Sequence, residues 1–215
     1  SENILLKTSH KSELCGVTMK NLLQQLGYYD FSGRSYVMNI FDIPDEYLDV
    51  EMHEKVHAQI ANRSILGYLT ILVQKARLSS THNSHNLEQV FNSLVSKSRL
   101  IHEGTATYTE YLLASARGNQ KQFLRNLENL GVYRDGYTIA KLIDKVLTPK
   151  RLTDIPSSRQ NFIKSCVLTD IARFAFNIPI LTYLQNSKES NLAQAIEIYL
   201  EKNNPTLRWM LFFTT

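Results

Sequence analysis

Glu46-Tyr47-Leu48-Asp49-Val50-Glu51-Met52-His53-Glu54-Lys55-Val56-His57-Ala58-Gln59-Ile60 is written in the period of a helix. Leu48, Met52, Val56 and Ile60 recur every four residues, an apolar stripe along one helical face. The turn Asp42-Ile43-Pro44-Asp45 marks the start, with Pro44 tolerated in the first turn. Leu66, Leu69 and Ile71 continue the pattern, which predicts one long helix ending near Ala76–Leu78. Inside it lies H-E-x-x-H. His53 and His57, four residues apart, share a face, so two imidazoles can hold one ion. Glu54 sits one residue round, where its carboxylate can reach a water in an open ligand position.

Working outward, Val17–Leu26 reads as an apolar helical patch that Gly27 stops. Ser35-Tyr36-Val37-Met38-Asn39-Ile40-Phe41 is rich in β-formers and reads as a short strand. Downstream, Ser79–Asn86 is a polar loop holding His82 and His85. A helix starting near Leu87 either runs into Ser96–Arg99 or breaks before it, and the stretch Leu100–Ala116 is helical again before Gly118. Phe123–Leu130 is short and amphipathic, residues 131–136 form a glycine-flanked loop, and Tyr137–Val146 is a helix. Thr148–Ser158, with Pro149 and Pro156, connects to further helices over Arg159–Phe176, Ile180–Leu184, Asn191–Lys202 and Leu207–Phe213. The sum is a mainly α chain with one small β element near residues 35–41, free of internal repeats.

Bulk properties narrow the function. The 215 residues suit one or two domains with a real core. The net charge of +4 comes from scattered lysines and arginines, so no basic arm for nucleic acid is expected. The most apolar stretches, Ser64–Val73 and Phe174–Leu184, are too short or interrupted for a membrane span. Ser1-Glu2-Asn3 opens no signal-like segment, which leaves the compartment undecided. Cys15 and Cys166 form no CxxC and read as free thiols.

Two imidazoles, a carboxylate and an open fourth position make a catalytic zinc site rather than a structural one. The residues alone leave the third ligand among Glu103, His102, the His82/His85 pair and Asp42. His82 and His85 sit in a polar loop, and Asp42 suits a turn. His102 and Glu103 point about a hundred degrees apart on a helix, so only one of them can face the ion.

H-E-x-x-H followed by Glu103-Gly104-Thr105-Ala106 resembles the gluzincin zinc peptidases, especially the aminopeptidase-type members. Their second helix carries N-E-G-x-A and a further acidic residue one or two turns on. Here His102 replaces the asparagine and Glu110 supplies the acid. Their Y-x-x-G is matched by Tyr133-Arg134-Asp135-Gly136. The resemblance implies Zn2+ held by His53, His57 and Glu103, Glu54 as general base, and Tyr133 as the oxyanion donor. The resemblance covers about residues 35–146 and implies an α+β, zincin-like catalytic core, set at residues 1–150; the helical pattern of the remainder gives a C-terminal subdomain over 151–215 packed on it. Glu110 is a candidate to orient a metal-bound imidazole, and Arg134 and Tyr137 are candidates to touch substrate. No counterpart of the aminopeptidases' G-x-M-E-N strand is present, which points to a peptide or a narrow protein substrate. The alternative is a non-enzymatic helical interaction module with a structural or vestigial metal site.

Overall fold

The computed structural model describes residues 27–29, 35–37, 44–80, 84–128, 130–147, 155–189 and 191–211. Among these residues lie two short strands and nine helices. Strands β1 (Gly27–Tyr29) and β2 (Ser35–Val37) pair antiparallel, Tyr28 opposite Tyr36. The helices are α1 (Pro44–Asn62), α2 (Ile65–Ser79), α3 (Ser84–Ala116), α4 (Gln120–Leu127) and α5 (Gly131–Leu147). They continue with α6 (Ser157–Phe176), α7 (Ile180–Asn186), α8 (Leu192–Lys202) and α9 (Pro205–Met210). Val17–Leu26, residues 38–41, Asp42, His82, Cys15 and the connector at 148–154 lie outside the described residues.

The expected α+β, zincin-like core is overturned. Three-residue strands do not make a layer with a buried face, and the core is built from helix on helix. Its axis is α3, a helix of 33 residues and so about 50 Å long. Helices α1, α2, α4, α5, α6, α8 and α9 all pack against it. From Ile101 to Thr109 every α3 residue except Glu103 is buried, the pattern of a helix enclosed on all sides. The helices after residue 157 share one apolar core with those before it, through Phe176, Ile178, Ile180, Ile196 and Trp209.

Two boundaries differ from the sequence reading and a third, which it left open, is decided, each for a physical reason. The long helix predicted from Glu46 is two helices. The chain turns at Arg63-Ser64, and the Ser64 hydroxyl caps α2 by accepting from the Gly67 backbone N–H at 3.2 Å. Gly67 permits that turn, because a Cβ there would lie 2.5 Å from the Ala61 backbone. In α3 no break occurs at Ser96–Arg99. Ser96 and Arg99 face solvent while Leu94, Ser98 and Ile101 face the core, so a polar run merely covers the outer face. Residues 131–136 are not a loop but the first turns of α5, so Tyr133 and Gly136 are helical. Glu103 correspondingly lies deep within α3 rather than in a first turn.

One described stretch, Ser157–Asn186, is long and apolar enough to cross a membrane by length and composition. It is two helices, α6 and α7, interrupted at residues 177–179, and 44% of its most apolar window is buried inside the protein. Leu168, Ala172, Phe176, Ile178 and Ile180 spend that apolarity on the core.

Candidate metal centre

Helix α1 presents His53, Glu54 and His57 to α3, all buried, while Val56 and Ile60 anchor the same helix in the apolar core. Glu103 meets them from α3. Its Oε2 lies 3.4 Å from His53 Nε2 and 3.6 Å from His57 Nε2. One ligand atom from each of His53, His57 and Glu103 falls within 4.8 Å of the others. A tetrahedral ion with bonds of about 2.1 Å separates its ligands by about 3.4 Å, so the two imidazole–carboxylate spacings fit a shared ion. They are long for hydrogen bonds, and Glu103 Oε2 is buried without a hydrogen-bond partner. The donor set of two nitrogens and one oxygen fits zinc, and a buried carboxylate oxygen left unsatisfied is costly unless something completes it.

The imidazoles are held from behind. His53 Nδ1 lies 3.1 Å from Glu110 Oε2, two turns along α3 from Glu103. His57 Nδ1 lies 3.3 Å from His102 Nδ1. His102 is 2% exposed and its ring packs 5.1 Å from that of Phe176. Both histidines thus set Nδ1 beside a neighbour, His53 at ion-pair distance from Glu110 but outside hydrogen-bond geometry, and turn Nε2 toward Glu103, the orientation a metal ligand needs. Adjacent residues on α3 thus serve the two sides of His57, Glu103 at Nε2 and His102 at Nδ1. The sequence marks His102 only as a rival ligand; its backing role depends on the approach of α1 to α3.

Electrostatics follow the packing. Burial disfavours the charged form of His53, but the Glu110 charge, with Glu103, outweighs it and raises the imidazole's pKa well above its ordinary value. Burial pushes Glu103 up, yet the facing His57 and His53 reverse this and hold its carboxyl well below the usual range. Burial beside His57 pulls His102 down to about 3, so it is a neutral acceptor or donor at ordinary pH. Glu54 is 5% exposed, its Oε2 has no hydrogen-bond partner, and burial is the main cause of its raised pKa.

Tyr133 comes from α5, its ring centroid 6.2 Å from that of His53. The Glu103 charge, then burial, raises its pKa, so the phenol keeps its proton. What brings α5 this close is a crossing of two glycines. A Cβ on Gly104 would lie 2.6 Å from the Gly136 carbonyl oxygen, and one on Gly136 would lie 2.6 Å from Gly104 Cα. Only residues lacking a side chain permit that approach. Gly104 follows the ligand Glu103, and Gly136 lies three residues after Tyr133. The glycines of E-G-x-A and Y-x-x-G are therefore two halves of one contact.

Two sequence candidates are not brought to the centre. Arg134 is exposed, 3.5 Å from Asp135 and donating to the Glu128 carbonyl at 3.4 Å. Tyr137 is buried in an aromatic cluster with Tyr108, Tyr111 and Phe123. Of the rejected ligands, His85 is exposed and pairs with Gln89. No family model, no curated protein and no solved structure matches this chain, so what the centre does is argued from its own geometry.

Proposed function

We propose that this chain is a zinc-dependent hydrolase acting on peptide bonds, with the ion held by His53, His57 and Glu103. The observation that carries the reading is the convergence of those three donor atoms within 4.8 Å, beside a buried Glu54 whose Oε2 has no hydrogen-bond partner. Three protein ligands leave a fourth position open, as catalytic zinc sites do, whereas structural sites close it with a fourth side chain. Among the described residues no fourth His, Cys, Asp or Glu joins the group. The peptide bond as target rests on the gluzincin-like order of motifs, which here sits on a helical scaffold.

Zinc held by His53, His57 and Glu103 would supply Lewis acidity, lowering the pKa of water toward about 7 and polarising a carbonyl. Glu54 takes the proton from the attacking water and returns it to the departing amine. Burial raises its pKa above the ordinary carboxylate value, which makes it a stronger proton acceptor than an exposed glutamate. Tyr133, protonated, donates to the oxyanion that forms on the scissile carbonyl. Glu110 and His102 keep the two imidazoles aimed while this happens.

A second reading has its own support. With His53 protonated between Glu103 and Glu110, the same residues form an ion-pair network that could serve a helical interaction module. The two readings part on a mixed-peptide digest read by mass spectrometry. The zinc-loaded wild type should cleave and Glu54→Gln should not, while Tyr133→Phe slows turnover about a hundredfold. Full hydrolysis by a zinc-loaded Glu54→Gln protein would sink the proposed mechanism. A wild type that takes up no zinc on titration leaves the interaction module.

A further inference from the structure

We infer that the face formed by α2, the end of α6 and α9 docks on an anionic lipid surface. The inference goes beyond the zinc reading and stands or falls without it. Ile65, Tyr68 and Leu72 recur at i, i+3 and i+7 on α2 and form one outward stripe, while Leu66, Thr70, Ile71 and Val73 turn to the core. The start of α2 lies against the end of α6. The Ile65 backbone N–H donates to Asn177 Oδ1 at 3.1 Å, and Arg173 Nε donates to the Arg63 carbonyl at 3.4 Å. Helix α9 meets the same turn of α6. The Arg208 guanidinium sits 5.6 Å over the Phe174 ring, and its Nε donates to the Ala175 carbonyl at 3.3 Å. Leu207 and Leu211 flank that arginine on α9. Ile65, Tyr68, Leu72, Phe174, Leu207 and Leu211 are each between 38% and 60% exposed.

Charge decides what covers this face. Residues 63–79, 173–181 and 204–211 carry Arg63, Lys75, Arg77, Arg173 and Arg208, and all 20 acidic residues of the chain lie elsewhere. Of the adjoining acids, Glu88 pairs with Arg77 and Asp170 with Arg173. Arg63 and Lys75 are exposed at the two ends of the apolar stripe. A second copy of the chain would set cation against cation. An anionic bilayer meets both chemistries, its phosphates facing the arginines and lysine and its acyl boundary taking the apolar tips. Tyr68 and the arginine stems are amphipathic groups suited to that boundary.

The test is cosedimentation of the full chain with phosphatidylcholine vesicles, pure or containing about a third phosphatidylserine, at physiological salt. Wild type should bind the anionic vesicles at least about tenfold more tightly than the neutral ones. Arg63→Gln with Lys75→Gln should weaken that binding about 25-fold, about fivefold for each cation near the surface. Tyr68→Ser with Leu72→Ser should weaken it about tenfold or more. All four positions are exposed, so circular dichroism and melting should match wild type; where one pair fails to fold, the other decides. Leu142→Ser with Val146→Ser, an exposed apolar pair on α5, should bind as wild type does. Equal binding to both vesicle types, binding unchanged in either folded α2 variant, or binding lost in the α5 variant overturns the proposal. A wild type left in solution by both vesicle types also overturns it, and leaves an acidic protein surface as the occupant.

Discussion

The crossing of α1, α3 and α5 and the layer formed by α6 to α9 are held by opposite means. At the crossing, His53, Glu54, His57, His102 and Glu103 are drawn out of water with incomplete hydrogen bonding. In the layer, Phe176, Ile178, Ile180, Ile196 and Trp209 are wholly buried apolar groups. Burial of apolar area stabilises at about 25 cal/mol per Å2, whereas desolvated charge stabilises only when well paired. The C-terminal layer thus stabilises the fold, while the crossing, where the proposed chemistry would lie, buries polar groups at a cost in stability.

The largest effect should come from the layer. Trp209→Ala removes the largest fully buried side chain and should destabilise by about 3–5 kcal/mol in denaturant unfolding. Zinc stoichiometry should nevertheless persist in whatever fraction stays folded. A Trp209→Ala protein that is fully folded but zinc-free would break the division between the regions. Next, Gly136→Ala forces a methyl onto helix backbone, 2.6 Å from Gly104 Cα and 2.9 Å from the Leu100 carbonyl oxygen. Backbone cannot rotate aside, so a loss of about 1–3 kcal/mol is expected, with Tyr133 carried away from His53. Wild-type stability in Gly136→Ala would mean that the two helices are not locked there.

Between the regions, Asp144 on α5 accepts from Tyr108 at 2.7 Å and from Lys164 at 3.0 Å, tying α3, α5 and α6 together. Lys164→Met strips the cation from a carboxylate whose side chain is 11% exposed. The partial exposure of Lys164 discounts the cost to about 1–3 kcal/mol. Adding Asp144→Asn should recover part of it, and strictly additive losses would show that the pair is not coupled. The smallest effect has the opposite sign. Glu54→Gln replaces a buried carboxylate whose Oε2 has no hydrogen-bond partner, and the metal-free protein should gain on the order of 1 kcal/mol while the zinc-loaded protein loses hydrolysis. A loss of stability would mean that Glu54 has a structural role.

The sequence displays most of the centre and less of the frame. The four-residue stripe of Val56 and Ile60 made α1 legible, and H-E-x-x-H named two donors outright. Ser64 looked like any serine in a helical run, because its cap depends on how closely Gly67 meets Ala61. Gly131 and Gly136 suggested a loop because isolated glycines weaken helices locally. The gain that reverses this is tertiary, the contact with Gly104. A zincin-like sheet was inferred from motif likeness, and motifs of a few residues fix donor spacing without fixing the layer behind it. Arg134 and Tyr137 were chosen for being near Tyr133 in sequence. On a helix, neighbours one residue apart face different ways, and a residue four on can belong to another cluster.

Elemental analysis of wild type, His57→Ala and Glu103→Ala, purified without added metal, tests the central claim most directly. Helices α1 and α3 each supply ligands, so about one zinc per wild-type chain should fall away in both variants. Zinc retained by Glu103→Ala, or a folded wild type that neither carries nor takes up zinc, would contradict the account.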